Sequence, residues 1–75
     1  MNFQKKLEYT GKEVRPGKNS PYTLATVMLE NGKTQDFLYK GEKELNKLEK
    51  RKMYNVDFNV KWYKNRPNIA ITNIE

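Results

Sequence analysis

The residues best equipped for chemistry lie close together. From Phe58 to Ile74 there is no acid, and "VKWYKNRPN", residues 60–68, sets Lys61, Lys64 and Arg66 around two adjacent aromatics, Trp62 and Tyr63. Cations interleaved with flat rings suit a flexible polyanion, because amines neutralise phosphates while a base lies on the ring. A second group, Lys12, Arg15 and Lys18, falls within "KEVRPGKNSPY" and is opposed only by Glu13. Phosphate contacts need charge and reach more than exact geometry, so cations on a glycine- and proline-shaped segment suit them. The plainer reading of such lysines is a solvated loop.

Other chemistry has little to stand on. The chain has no histidine and no cysteine, which removes the usual general base, the usual zinc ligand, thiolate nucleophiles and disulfides. Its 9 acids are scattered, and Glu42 and Glu44 stand at an exposed segment start rather than as a paired acid and base. No glycine-rich phosphate loop or metal-ligand spacing is present. The expectation is a binding protein, not an enzyme, with no cofactor and no metal. A net charge of +6 and a pI near 9.6 draw polyanions: nucleic acid, an anionic membrane surface or an acidic protein.

At 75 residues the chain is expected to form one domain, residues 1–75, with a thin core. Mean hydropathy is −1.03, polar for a globular domain, but an aromatic content of 12% argues against disorder. No stretch is apolar enough to read as a signal peptide or a membrane span, so a soluble cytoplasmic protein is the expectation.

The elements that must position these residues read mostly as strands. Phe3, Leu7 and Tyr9 alternate along residues 3–10, a first strand, and "GKEVRPGKNSP" reads as a loop. "YTLATVMLE" and "KTQDFLYK" flank Asn31-Gly32, the signature of a type I′ hairpin. Their apolar residues occupy both parities, so a bulge or two covered faces is expected, and whether Phe37 or Leu38 faces inward stays open. "EKELNKLEKRK", residues 42–52, is rich in helix formers, with Leu45, Leu48 and then Met53 as a narrow apolar stripe and charges that complement the dipole. Tyr54, Val56, Phe58, Val60 and Trp62 share one face of a fourth strand, "KNRPN" turns the chain, and "IAITNIE" is the fifth.

The order β-β-β-α-β-β predicts a mainly β fold with one helix, a five-stranded OB-like barrel plugged by that helix. An SH3-like barrel and a sheet packed on one helix are the alternatives. In an OB barrel the loop after the first strand and the loop between the fourth and fifth flank one groove, which would bring the two basic segments together. A barrel this small cannot hide 5 tyrosines, 3 phenylalanines and a tryptophan, so some rings must lie outside. Tyr63 has the parity opposite to the core and is the first candidate for stacking. Trp62 shares the core parity, which places it inside supporting Tyr63, with stacking as the alternative. Tyr22, Phe37 and Tyr39, beside Lys33 and Lys40, are the hairpin's contribution.

"GKNSPYTLATVMLENGKTQDFL" resembles the corresponding region of the small single-stranded-DNA-binding proteins of filamentous phages, the gene V type. Gly17, Lys18, Pro21, Tyr22 and Leu24 fall where that family carries a Gly-Lys-Pro-Tyr-Ser-Leu-like segment, with Asn19 and Ser20 as extra residues. Residues 54–75 look like its closing strand pair, whereas the segment 42–52 departs from it. The resemblance implies an OB-type barrel, single-strand binding, a homodimer, and a setting in phage DNA replication. The reading is thus non-sequence-specific binding of single-stranded DNA, with RNA also open. Lys12, Arg15, Lys18, Lys61, Lys64 and Arg66 would meet phosphates; Tyr22, Phe37, Tyr39, Tyr63 and Trp62 would meet bases. A homodimer or cooperative assembly along the strand would raise affinity, and no membrane is involved. The alternative is a small protein-binding module, such as a phage-encoded modulator of a host protein, using the same rings as hot spots.

Overall fold

One strand runs through a glycine and holds two neighbours at once. In the computed structural model, which describes all 75 residues, β1 spans Asn2–Arg15. Its first part pairs with β4 (Lys52–Tyr63), from Asn2↔Asn59 to Tyr9↔Lys52. Its last part pairs with β2 (Tyr22–Met28), from Glu8↔Met28 to Arg15↔Tyr22. The register slips between Tyr9 and Gly11, and Gly11 has a φ of +152°, a conformation that side chains disfavour. This bulge overturns the expected loop at residue 11: Gly11–Arg15 is strand, and only residues 16–21 connect β1 to β2.

With β3 (Thr34–Tyr39) and β5 (Arg66–Ile74), the strands close into a barrel in the order β1-β2-β3-β5-β4. Every neighbouring pair is antiparallel except β3 and β5, which meet in parallel only at Leu38↔Ala70 and Tyr39↔Ile71. Leu7, Tyr9, Ala25, Val27, Val56, Phe58, Ile71 and Ile74 fill the barrel. Ile71 and Ile74 have opposite parities. Both are buried because β5 bulges: Asp57 pairs with Asn73 but Phe58 with Ile71, leaving Thr72 over. No helix of the chain is long and apolar enough to cross a membrane.

The expected helix over residues 42–52 is absent, and with it the order β-β-β-α-β-β. Between β3 and β4 there is one turn of 3₁₀ helix, Leu45–Lys47. Leu45 is buried and Leu48 half-buried; residues three apart eclipse on a 3₁₀ turn, so this pair needs no α-helix. An isolated helix of this length is marginal in water, so tertiary partners decide. Here they are many. The Tyr39 hydroxyl donates to the Lys43 carbonyl (2.8 Å), Lys43 pairs with Glu75 (3.0 Å), the Glu49 N–H donates to the Tyr54 hydroxyl (2.9 Å) and the Arg51 N–H to the Tyr9 carbonyl (2.6 Å). Arg51, at a φ of 66°, turns the chain into β4, where Met53 is 48% exposed rather than part of a buried stripe.

The hairpin between β2 and β3 forms as expected, but its turn is not type I′. Glu30, Asn31 and Gly32 make a three-residue loop, closed by Leu29 N–H to Lys33 carbonyl (2.8 Å) and Gly32 N–H to Leu29 carbonyl (2.9 Å). Only Gly32 has a positive φ, so this is a turn followed by a left-handed residue, the other common hairpin geometry.

Two predictions follow from this packing. At Gly41 an added Cβ would run into the Tyr39 ring and the Thr72 carbonyl, so Gly41→Ala should cost about 1–3 kcal/mol by overpacking, read as a lower denaturation midpoint at unchanged slope. Burial holds the phenols of Tyr9 and Tyr39 above their ordinary value of 10.0; Tyr54 adds to the rise at Tyr9, while Lys43 offsets part of it at Tyr39. Above that value the unfolded chain has lost protons that the folded one keeps. Stability should therefore be full below about pH 10 and fall as pH rises past it. Thermal melts against pH should show this decline, and Tyr9→Phe should flatten it.

Candidate functional site

Several of the side chains singled out from the sequence sit on a hairpin that outruns the barrel. The β4–β5 turn is two residues, Lys64 and Asn65, at φ of 49° and 64°, which makes it type I′ with Tyr63↔Arg66 as the closing pair. Asparagine tolerates the left-handed region; lysine does so less readily. The expected turn "KNRPN" is thus too long, and Arg66, Pro67 and Asn68 belong to β5. Pro67 is tolerated there for a clear reason. The Val60 N–H points off the β4–β5 ladder, donating to the Met1 carbonyl (2.7 Å), so Val60↔Ile69 is a non-hydrogen-bonded pair. Trp62↔Pro67, two residues along, is of the same kind, and the N–H that proline lacks would have faced away from the ladder. Past Asn59 and Val60 the strand β4 meets only β5, and before Ala70 the strand β5 meets only β4. Residues 61–68 therefore form a free two-stranded arm.

Cross-strand register assigns its two faces, since paired residues share a face. Lys61 pairs with Asn68 and Tyr63 with Arg66, and this face continues through Asn59↔Ala70, Ala70↔Leu38 and Leu38↔Leu24. The result is a groove of about 420 Å³ on the outside of the barrel, lined by Leu38, Lys40, Asn59, Lys61, Trp62, Tyr63, Asn68, Ile69 and Ala70. Its floor is apolar, with Leu38 half-buried and Ala70 buried. Tyr63 is 63% exposed and the Lys64 ammonium lies 5.5 Å from its ring centroid. None of the lining residues is a carboxylate. Four other grooves each include at least one: Glu44 and Glu75, Glu44, Glu8 and Glu30, or Asp57.

The structure divides the residues singled out from the sequence. Lys61, Tyr63 and Arg66 share the outer face, with Lys64 at its tip. Arg15 and Tyr22 face each other across β1 and β2 on the same side of the sheet, at the end where β3 finishes. Arg15 donates to Glu13 (3.1 Å), and that bond, aided by Tyr22, raises the guanidinium pKa. Lys18 lies in the exposed connection between β1 and β2. Lys12 is elsewhere. It pairs with Ala25, whose side chain is in the core, and it lines a separate groove with Thr23, Tyr39, Gly41, Lys43 and Glu44 at the barrel mouth. The two basic segments accordingly close opposite ends of their ladders and flank the outer face without meeting.

The rings are divided too. Phe37, not Leu38, faces inward, edge-on to Phe58 with centroids 5.2 Å apart. Tyr39 packs against the same core and its hydroxyl is bonded to Lys43. Both rings are half-buried against the core and present less open surface than Tyr63 or Trp62. Trp62 is the converse: 71% exposed, not core. Its parity is that of the core, but β4 has left the barrel by residue 62, and there is nothing inside for it to fill. Leu38, Asn59, Asn68 and Lys40 complete the groove. Leu38 was readable only by anchoring the β3 parity to buried Ala25 and Val27.

Neither a protein family, a curated protein nor a solved structure shows a match to this chain. The exposure of Trp62 has a direct check. Acrylamide should quench its fluorescence in the native protein nearly as well as in denaturant, with a red-shifted native emission; a blue-shifted, protected Trp62 would place it back in the core.

Proposed function

We propose that this chain binds single-stranded nucleic acid, DNA ahead of RNA and with little sequence preference, along the outer face of an OB-type barrel. One observation carries the reading: the groove with an apolar floor, flanking cations and an exposed tyrosine has no carboxylate in its lining, unlike the four other grooves described above. Phosphates repelled by acids elsewhere would find Lys40, Lys61, Lys64 and Arg66 there, while a base stacks on Tyr63. The ring order, with β3 beside β5, and the placement of the groove across β3, β5 and β4 between the two basic connections support the OB assignment. Arg15, Lys18 and Tyr22 extend the track toward the other end of the sheet. Lys12, Phe37 and Tyr39 stand outside it.

The role is binding without catalysis, in the cytoplasm, and it is the role that the resemblance to phage-type single-stranded-DNA-binding proteins implies. A face this short covers a few nucleotides, so useful affinity comes from a homodimer or cooperative contacts along the strand.

Anisotropy of labelled oligo-dT, oligo-rU and a duplex, titrated at several salt concentrations, tests the proposal. Lys61→Ala and Arg66→Ala should each weaken binding to every single strand and lower the slope of log K against log salt by about 0.7. Tyr63→Ala should cost about 1–3 kcal/mol of affinity and leave that slope unchanged. Lys12→Ala should change neither. Absence of binding to any single strand at low salt would end the reading, and an equal loss on Lys12→Ala would show that the outer face is not the site.

A further inference from the structure

The arm has a second face, from which Trp62 and Ile69 reach the groove while Val60 and Pro67 stand outside it. Val60 pairs with Ile69 and Trp62 with Pro67, so these four side chains lie opposite Lys61, Tyr63 and Arg66. None carries a charge. Trp62 is 71% exposed and Ile69 40%. Trp62 and Pro67 are a non-hydrogen-bonded cross-strand pair, which brings an indole and a proline ring side by side on one face, within a few residues of Lys61, Lys64 and Arg66 on a segment without any acid. Trp62 and Tyr63 are neighbours in sequence on opposite faces of one ribbon, so one strand running along the groove cannot stack on both.

Resting on the strand-binding reading above, we propose that the arm recognises the junction between duplex and single strand. One strand passes over Tyr63 into the groove, and the Trp62–Pro67 surface stacks on the last intact base pair. The chemistry is complementary. A terminal base pair offers a flat, uncharged π face with phosphates only at its rim, and the arm offers an uncharged ring platform with cations only on its tip and far face. A phosphate backbone would find no cation on the Trp62 face. The ribbon is two strands thick and free on both edges over residues 61–68, so it fits between diverging strands where the body of the barrel would not.

The test compares a single strand, a blunt duplex and a duplex carrying that strand as a tail, each fluorescently labelled. The tailed duplex should bind about tenfold more tightly than the single strand alone, the gain from one added stacking contact. Trp62→Ala should remove that preference, lowering tailed-duplex affinity about tenfold more than single-strand affinity; Trp62→Phe should keep part of it; Tyr63→Ala should weaken both probes equally. Trp62 is exposed, so these variants should fold, which circular dichroism checks. Equal affinity for tail and tailed duplex in the unsubstituted protein overturns the junction assignment. So does a Trp62→Ala loss that is the same on both probes, or self-association in sedimentation that Trp62→Ala abolishes, which would give this face to a second copy. Single-strand binding that persists without junction preference sinks the junction alone; no binding to either probe sinks both readings.

Discussion

The structure depends on β1 changing partners without breaking. A sheet closes only if some strand serves both ends of it, and here that is a 14-residue strand bent at Gly11, paired with β4 on one side and β2 on the other. Glu8 and Tyr9 are held on both sides at once. Closure removes nearly all the exposed edges that a chain of this size could not otherwise protect. It also fixes the interior. Once the ring is shut, the volume inside admits a handful of medium side chains, and Leu45 enters from the connection between β3 and β4 to cap them.

That small interior decides where the chemistry lies. Phe58 is buried, Phe3 stacks on it from the half-exposed side with ring centroids 4.9 Å apart, and Phe37 meets it edge-on. With Tyr9, Tyr39 and Tyr54 also packed at the core, the aromatic capacity of the barrel is full. The remaining large rings, Trp62, Tyr63 and Tyr22, are displaced to the surface, and two of them ride on a hairpin from which carboxylates are missing. The same lack of room that limits stability therefore leaves an exposed aromatic surface on the arm.

How much of this the sequence shows depends on whether the signal is local. The β4 alternation from Tyr54 to Val60 and the hairpin at Asn31-Gly32 are local patterns, and both are present. The five-stranded closure was also readable, because five short strand patterns in a small chain leave few other ways to cover their edges. The turns were misjudged locally, in type at Asn31-Gly32 and in length at Lys64-Asn65; the larger failures are tertiary overrides. Gly11 reads as a breaker, yet a bulge turns it into a bend within a strand. Residues 42–52 have helix-forming side chains, but hydrogen bonds to Tyr9, Tyr39, Tyr54 and Glu75 pin the backbone in another path. Trp62 keeps the core parity after the core has ended, which no period-two pattern can reveal. At the site, the cations and Tyr63 were legible by composition; the separation of Lys12 from them was not, since it depends on which side of β1 faces Ala25.

The pairing of Asn2 with Asn59, and of β3 with Ile71 of β5, joins segments far apart along the chain. During synthesis, β1, β2 and β3 emerge first as a three-stranded meander whose inner face, with Leu7, Tyr9 and Val27, has nothing to lie against. Ile71 and Ile74, which complete the core, come from β5, the last of the five strands in chain order. The barrel thus closes only once β5 is available, and its high share of long-range pairing makes that closure slow for a domain of this length. Until then the meander is a one-sided sheet with an uncovered apolar face and two open edges, β1 and β3.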